Sequence, residues 1–178
     1  MNERSSAGPT DRPEALRAAL DLEQKGHDYY RETASRAGNP LTQKVFSALA
    51  DDEIRHKERI RELYEGAGSG AGFLTPRDAL ENTVKEFFAR FTQSERAAWQ
   101  LDDAGAYEHA MELERQSYSL YEALAGRTQS QAEAEFFRQV QHEESEHFTA
   151  LENALNYLQR TGDWFASEEG RVWNWMNM

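Results

Sequence analysis

Apolar residues recur at spacings of three and four along four long stretches of this chain, the period of α-helices with one buried face. In one stretch Phe46, Leu49, Glu53, His56, Ile60 and Leu63 follow this spacing, and in another Phe137, Val140, Glu144, His147, Leu151 and Ala154 repeat it. Leu16, Leu20, Glu23, Tyr30 and Ala34 form a stripe on an earlier helix, as do Tyr107, Met111, Glu114, Tyr121 and Ala125 on a later one. Four glutamates and two histidines therefore occupy positions that the pattern assigns to the core.

Turn and capping residues set the expected boundaries. Asp11 with Pro13 starts a helix running to about Ala37, Gly38-Asn39-Pro40 ends it, and a second helix runs from Leu41 to about Tyr64. So short a connection makes the two antiparallel neighbours. The glycine-rich run Gly66–Gly72 reads as a flexible linker. Thr75-Pro76 restarts a shorter helix to about Phe91, and Thr92-x-x-Glu95 is a capping box for a further turn or two. The third and fourth long helices are expected from about Asp103 to Ala125 and from about Ser130 to Arg160, with Gly126 and the polar residues after it forming the loop. Phe87, Phe88 and Phe91 read as core rather than as a substrate channel.

Three domain spans follow: a disordered segment over 1–11, a bundle over 12–161 and an aromatic tail over 162–178. The tail holds Trp164, Phe165, Trp173 and Trp175, too much apolar surface to leave in water. It is expected to pack along the bundle or on a second subunit.

The chain is an internal repeat. Glu23, Glu53 and His56 reappear 91 residues later as Glu114, Glu144 and His147, with no insertion or deletion. The same offset matches Ala19 with Ala110, Leu22 with Leu113, Tyr30 with Tyr121, Ala34 with Ala125 and Phe46 with Phe137. Each half is a helical hairpin, and two hairpins make a four-helix bundle.

Composition narrows the chemistry. Of the 178 residues, 39% are hydrophobic and 29% charged, which suits elongated helices with wet outer faces. A net charge of −12 and the lack of any basic cluster argue against nucleic acid as a partner. Without cysteine, the chain has no thiolate nucleophile, disulfide, Cys-ligated zinc or iron–sulfur centre. Met1 to Asp11 lacks the apolar core of a signal peptide, and no apolar run approaches the ~20 residues that span a bilayer. The expectation is a soluble cytoplasmic protein with no membrane partner.

A buried, unpaired carboxylate costs several kcal/mol or takes up a proton, and four converging ones repel one another. Two divalent cations cancel four negative charges, and Glu at i with His at i+3 lie on one helix face, so each pair can serve one ion. Oxygen and nitrogen ligands of this kind suit iron or manganese. The candidate metal ligands are Glu23, Glu53, His56, Glu114, Glu144 and His147.

The neighbouring residues are read more plainly. His27 sits at the edge of its stripe, and His109 and His142 fall off theirs onto the surface. Asp52, Glu143 and Glu146 flank ligands but point outward, as solvated side chains. Tyr30 and Tyr121 can either hydrogen bond a ligand or serve as ordinary core tyrosines.

The motifs Glu23-x-x-Gly26…Tyr30, Glu114-x-x-Ser117…Tyr121, Phe46…Glu53-x-x-His56 and Phe137…Glu144-x-x-His147 resemble those of the ferritin-like di-iron carboxylate proteins, and most closely the rubrerythrin branch. The resemblance covers about residues 13–161, and Trp164-Phe165 also resembles that branch. It implies an all-α, ferritin-like four-helix bundle of two helical hairpins joined by a crossover segment with a short helix. It further implies that Glu53 and Glu144 bridge two iron ions, manganese or zinc being possible, with Glu23 and His56 terminal on one ion and Glu114 and His147 on the other. Members of the branch reduce hydrogen peroxide, oxidise ferrous iron or activate dioxygen.

The chain departs from the branch in two ways. Typical rubrerythrins carry a rubredoxin-like four-cysteine iron domain; here the electron donor is expected to be separate, such as a rubredoxin-like protein. Many peroxide-reducing members have a further Glu three residues after the third-helix ligand, where this chain has Ser117. The expected function is peroxide reduction with electrons from that donor, in defence against oxidative stress, by a homodimer. The alternatives are a ferroxidase or iron-handling protein, and a metal-stabilised structural or cargo module without turnover.

Overall fold

Proline, asparagine and threonine residues between the apolar stripes start and stop the helices in the computed structural model, which describes residues 12–65 and 80–159. The elements are α1 (Arg12–Arg36), α2 (Pro40–Glu65), α3 (Leu80–Phe88), α4 (Gln93–Ala97), α5 (Ala104–Arg127) and α6 (Gln131–Gln159). No strand occurs among the described residues. The expected N-terminal segment, the Gly66–Gly72 linker, the Thr75-Pro76 start and the aromatic tail lie outside the described residues.

Pro40 opens α2 in its first turn, where a missing N–H costs nothing, and the Asn39 side chain accepts the N–H of Thr42 at 2.8 Å. Asp102, just before α5, fastens this corner from the other hairpin. Its carboxylate accepts the backbone N–H groups of Gly38 (2.9 Å) and Asn39 (3.0 Å) and the Asn39 amide (3.0 Å). The capping box at Thr92 forms as expected, with Glu95 returning the bond to the Thr92 N–H at 2.8 Å. Two boundaries differ from the sequence expectation: α3 ends at Phe88 rather than about Phe91, and α5 continues through Gly126 to Arg127. Gly126 has open space around it, and the loop begins at Thr128, whose N–H still reaches the Leu124 carbonyl at 3.1 Å.

α1 packs mainly on α2 and α5 mainly on α6; α1 against α5 and α2 against α6 then join the two hairpins. The result is an all-α, ferritin-like four-helix bundle, with α3 lying against α2 and α6 as part of the crossover. Phe87, Phe91 and Trp99 meet in tilted and edge-on contacts at ring separations of 5.0–5.9 Å and cover the core, as the sequence positions of the phenylalanines suggest. The Phe88 side chain lies outside the described set.

The core has two apolar parts. Tyr30, Phe46, Leu49, Tyr107, Leu151 and Leu155 belong to one, while Ala19, Ile60, Tyr121, Phe136, Phe137 and Val140 belong to the other. Along every long helix the buried glutamates fall between them. The polar centre of the bundle is thus closed off at both ends by hydrocarbon. No helix among the described residues is long and apolar enough to cross a membrane.

Candidate metal centre

All six charged residues of the core stripes are buried: Glu23, Glu144, His56 and His147 are 0% exposed, Glu114 1% and Glu53 2%. The helices bring them together as two overlapping groups. Glu23, Glu53, His56 and Glu144 form one, and Glu53, Glu114, Glu144 and His147 the other; within each, one donor atom per residue lies within 4.8 Å of the rest. Glu53 and Glu144 belong to both groups, and the two imidazoles stack 5.6 Å apart.

The histidines turn the same ring nitrogen inward. His56 Nδ1 lies 3.1 Å from Glu23 Oε2, 3.3 Å from Glu144 Oε1 and 3.6 Å from Glu53 Oε2. His147 Nδ1 lies 3.3 Å from Glu144 Oε2 and 3.6 Å from Glu114 Oε2. The opposite nitrogens meet acids outside the cluster. His56 Nε2 is 2.8 Å from Glu143 Oε2, and His147 Nε2 is 3.1 Å from Asp52 Oδ2. A hydrogen bond from Nε2–H to a carboxylate fixes the tautomer that leaves Nδ1 as a lone-pair donor.

Those two acids correct the sequence reading, which left Asp52 and Glu143 solvated. Asp52 is 2% exposed and ion-paired to Arg55; Glu143 is half-buried and held by both bonds from Arg59, at 2.8 and 2.9 Å. Glu146 is exposed, as expected. The missed signal was the repeat itself, since Asp52 and Glu143 are equivalent acidic positions 91 residues apart.

The tyrosines also take the bonded alternative, each to the opposite half. Tyr30 donates to Glu114 Oε1 at 2.7 Å, and Tyr121 donates to Glu23 Oε1. Gly26 leaves room for Glu53: a Cβ there would lie 3.2 Å from its carboxylate. Ser117, the equivalent position on α5, is buried and brings no carboxylate. His27 is partly buried beside Asp28, while His109 and His142 are exposed.

The donor set fits a pair of divalent ions because several inward atoms are otherwise orphaned. Glu53 Oε2, Glu114 Oε2, both oxygens of Glu144 and His147 Nδ1 are buried with no hydrogen-bond partner among the described residues. Buried polar atoms are normally satisfied, and these all belong to the two groups. Without metal, protons must do part of the work. Burial pushes Glu114 up to about 8, Glu144 adding to the rise against the pull of His147. Burial and then the Glu23 charge hold Glu53 well above the usual carboxylate range. For His147, burial favours the neutral ring, but Glu114 and Glu144 outweigh it and raise it to about 10. His56 is likewise raised, with Glu144 and Glu23 overcoming burial.

The family model described as Rubrerythrin matches residues 14–155. The chain belongs to the rubrerythrin family. No curated protein and no solved structure matches it. Family and site agree: this is a di-iron redox protein of rubrerythrin type, an oxidoreductase with two carboxylate–histidine clusters able to hold metal. This rubrerythrin has the bundle expected from its repeat, with the two clusters at its middle.

Two tests follow. Asp52→Ala and Glu143→Ala should each weaken metal binding about 10–100-fold, by releasing the histidine they orient. Glu146→Ala should leave it unchanged; equal effects from all three in a calorimetric titration would contradict these roles. The second concerns pH. Glu114 and His147 hold protons more tightly folded than unfolded, so the stability they contribute is complete below 4.5 and 6.5 and is lost as pH rises through about 8 and about 10. Melting of the metal-free protein should therefore fall in temperature from pH 6.5 to pH 10, while metal affinity rises because binding displaces those protons. A melting temperature that climbs over this window would contradict it.

Proposed function

We propose that this rubrerythrin reduces hydrogen peroxide at a pair of iron ions, using electrons from a separate donor such as a rubredoxin-like protein. The observation that carries the reading is the set of orphaned donor atoms on Glu53, Glu114, Glu144 and His147, buried together in the two overlapping groups. Glu23 and His56 would hold one ion and Glu114 and His147 the other, with Glu53 and Glu144 shared between them, as their membership of both groups supports. Oxygen and imidazole donors suit iron, and manganese or zinc fits the same set less selectively.

When bound, the metal pair would supply the electrons that reduce the oxidant. The chain does the rest. Asp52 and Glu143 hold the imidazoles in register, and Tyr30 and Tyr121 take one oxygen each of Glu114 and Glu23, leaving the other oxygen to face the centre. The apolar clusters at both ends keep bulk water from the site. The chain contains no cysteine for a thiolate iron centre, which supports a separate electron donor.

The working unit in this reading is the bundle over 12–161, preceded by a segment over 1–11 and followed by an aromatic tail over 162–178 that covers it or a second copy in a homodimer. The compartment is the cytoplasm, where peroxide and a reduced donor meet. Ser117 favours a second reading: without the additional glutamate of many peroxide-reducing relatives, the same centre would serve as a ferroxidase using dioxygen.

Stopped-flow absorbance on the anaerobic ferrous protein separates these. Hydrogen peroxide should oxidise the iron faster than dioxygen does. Faster reaction with dioxygen would establish the ferroxidase reading, and inertness to both would leave a metal-stabilised module.

A further inference from the structure

The two site tyrosines are equivalent in the repeat but differ in what lies behind them. Tyr121 is followed outward by Phe137, 6.1 Å away and stacked, and Phe137 by Phe136, neither of which carries a phenol. Tyr30 instead touches Tyr29 edge-on, with ring centres 5.9 Å apart. The repeat places Leu120 where Tyr29 stands in the first half, so this second tyrosine has no counterpart. Tyr29 is only partly buried, its ring meets the exposed His109 at 4.6 Å, and it lines a surface pocket of about 230 Å³ with Glu32, Thr33, Arg36 and Asp103. One continuous path of phenols thus leads from Glu114 to the surface: Tyr30, bonded to Glu114 at 2.7 Å, and then Tyr29, whose hydroxyl donates to the Ala106 carbonyl at 3.0 Å.

Tyrosine and tryptophan are the side chains most readily oxidised by one electron without sulfur, and electron transfer between rings in contact is far faster than across an equal depth of aliphatic core. Peroxide accepts two electrons, which a ferrous pair can give once; a centre that meets further peroxide while its donor is absent must then take electrons from the protein around it. The path through Tyr30 and Tyr29 is polar and oxidisable, and it reaches from the site to a partly exposed ring.

We propose that Tyr30 and Tyr29 form a two-step relay that carries oxidising equivalents from the metal centre to the surface, where a one-electron reductant quenches them. This rests on the peroxide-reducing reading above. In each pass Tyr30 gives one electron to the centre while its phenol proton shifts to Glu114. Tyr29 then gives one electron to Tyr30, which takes its proton back from Glu114, and Tyr29 loses its own proton to water in the pocket. A soluble phenol or thiol reductant returns an electron to Tyr29, and water returns the proton. Two passes supply the two electrons that, with two protons from solvent, turn one hydrogen peroxide into two waters. The centre is spared oxidation of its own ligands, and the second half of the repeat has Leu120 in place of the second tyrosine.

The test is spin trapping. The iron-loaded full chain is treated with hydrogen peroxide in excess of its ferrous iron and a nitrone trap without reductant, adducts are mapped by peptide mass spectrometry, and iron oxidation is followed by absorbance. The adduct should form on Tyr29 in preference to Tyr118, although Tyr118 is an openly exposed tyrosine at 40%. It should be lost in Tyr30→Phe. Tyr29→Phe touches no ligand and guards against a Tyr30→Phe variant that fails to hold iron. In it the tyrosyl signal in freeze-quenched paramagnetic resonance should outlast that of the wild type, because the second step is gone. Labelling of Tyr118 with none on Tyr29, Tyr29 labelling that survives Tyr30→Phe, or an unchanged signal lifetime in Tyr29→Phe would overturn the relay alone. Iron that stays ferrous in peroxide would overturn the reading of the centre, and the relay with it.

Discussion

Four carboxylates and two imidazoles meet in the middle of a bundle that is hydrocarbon above and below them, and the structure depends on how that charge is balanced. In a low-dielectric interior four negative groups at contact distance cannot all remain ionised. The metal-free chain compensates with protons, which is why Glu53 and Glu114 are pushed up while both histidines are held in their charged form. In that state each oxygen of Glu144 meets one imidazole Nδ1 at 3.3 Å, an ion pair without hydrogen-bond geometry. A pair of dications satisfies the charge and the lone pairs together. The fold is accordingly a scaffold whose centre is finished by what it binds.

Around this centre the repeat supplies symmetry and the exceptions supply direction. Each histidine is held by the acid that precedes the shared glutamate of the other hairpin, and each site tyrosine bonds the outer glutamate of the other hairpin. These crossed bonds tie the hairpins together through the site, so ligand geometry and hairpin packing are one constraint. Both arginines that anchor the outer acids come from α2: Arg55 holds Asp52 on its own helix, and Arg59 reaches across to Glu143 on α6. The repeat puts Glu146 and Ala150 where those arginines stand, so the second hairpin brings no equivalent. Tyr29 is another such exception. A duplicated frame thus has two carboxylate–histidine groups that are alike in composition and unequal in the residues around them.

Much of this was legible in the sequence because helical period and internal repeat are local or self-similar signals. Glu53 and His56 share a stripe with Phe46, Leu49 and Ile60, and that alone predicts their burial. What escaped was any contact depending on how two helices cross. Asp52 is one residue off its stripe and looks solvated on a helical wheel; only the approach of α6 brings His147 over it. Tyr30 was within reach of a ligand by its spacing, but its partner proved to be Glu114, 84 residues away rather than on its own helix. Glycine so often ends helices that Gly126 reads as a loop residue in the sequence, yet nothing crowds it and α5 runs on to Arg127.

The central claim, that a pair of cations completes the charge balance of the core, is tested most directly by anaerobic titration of the metal-free chain with ferrous iron, read as bound ions per chain and melting temperature. Saturation is expected at two ions per chain with a clear rise in melting temperature, because the ions bind only the folded site. A folded chain that takes up fewer than two ions, or two with no change in melting temperature, would contradict it.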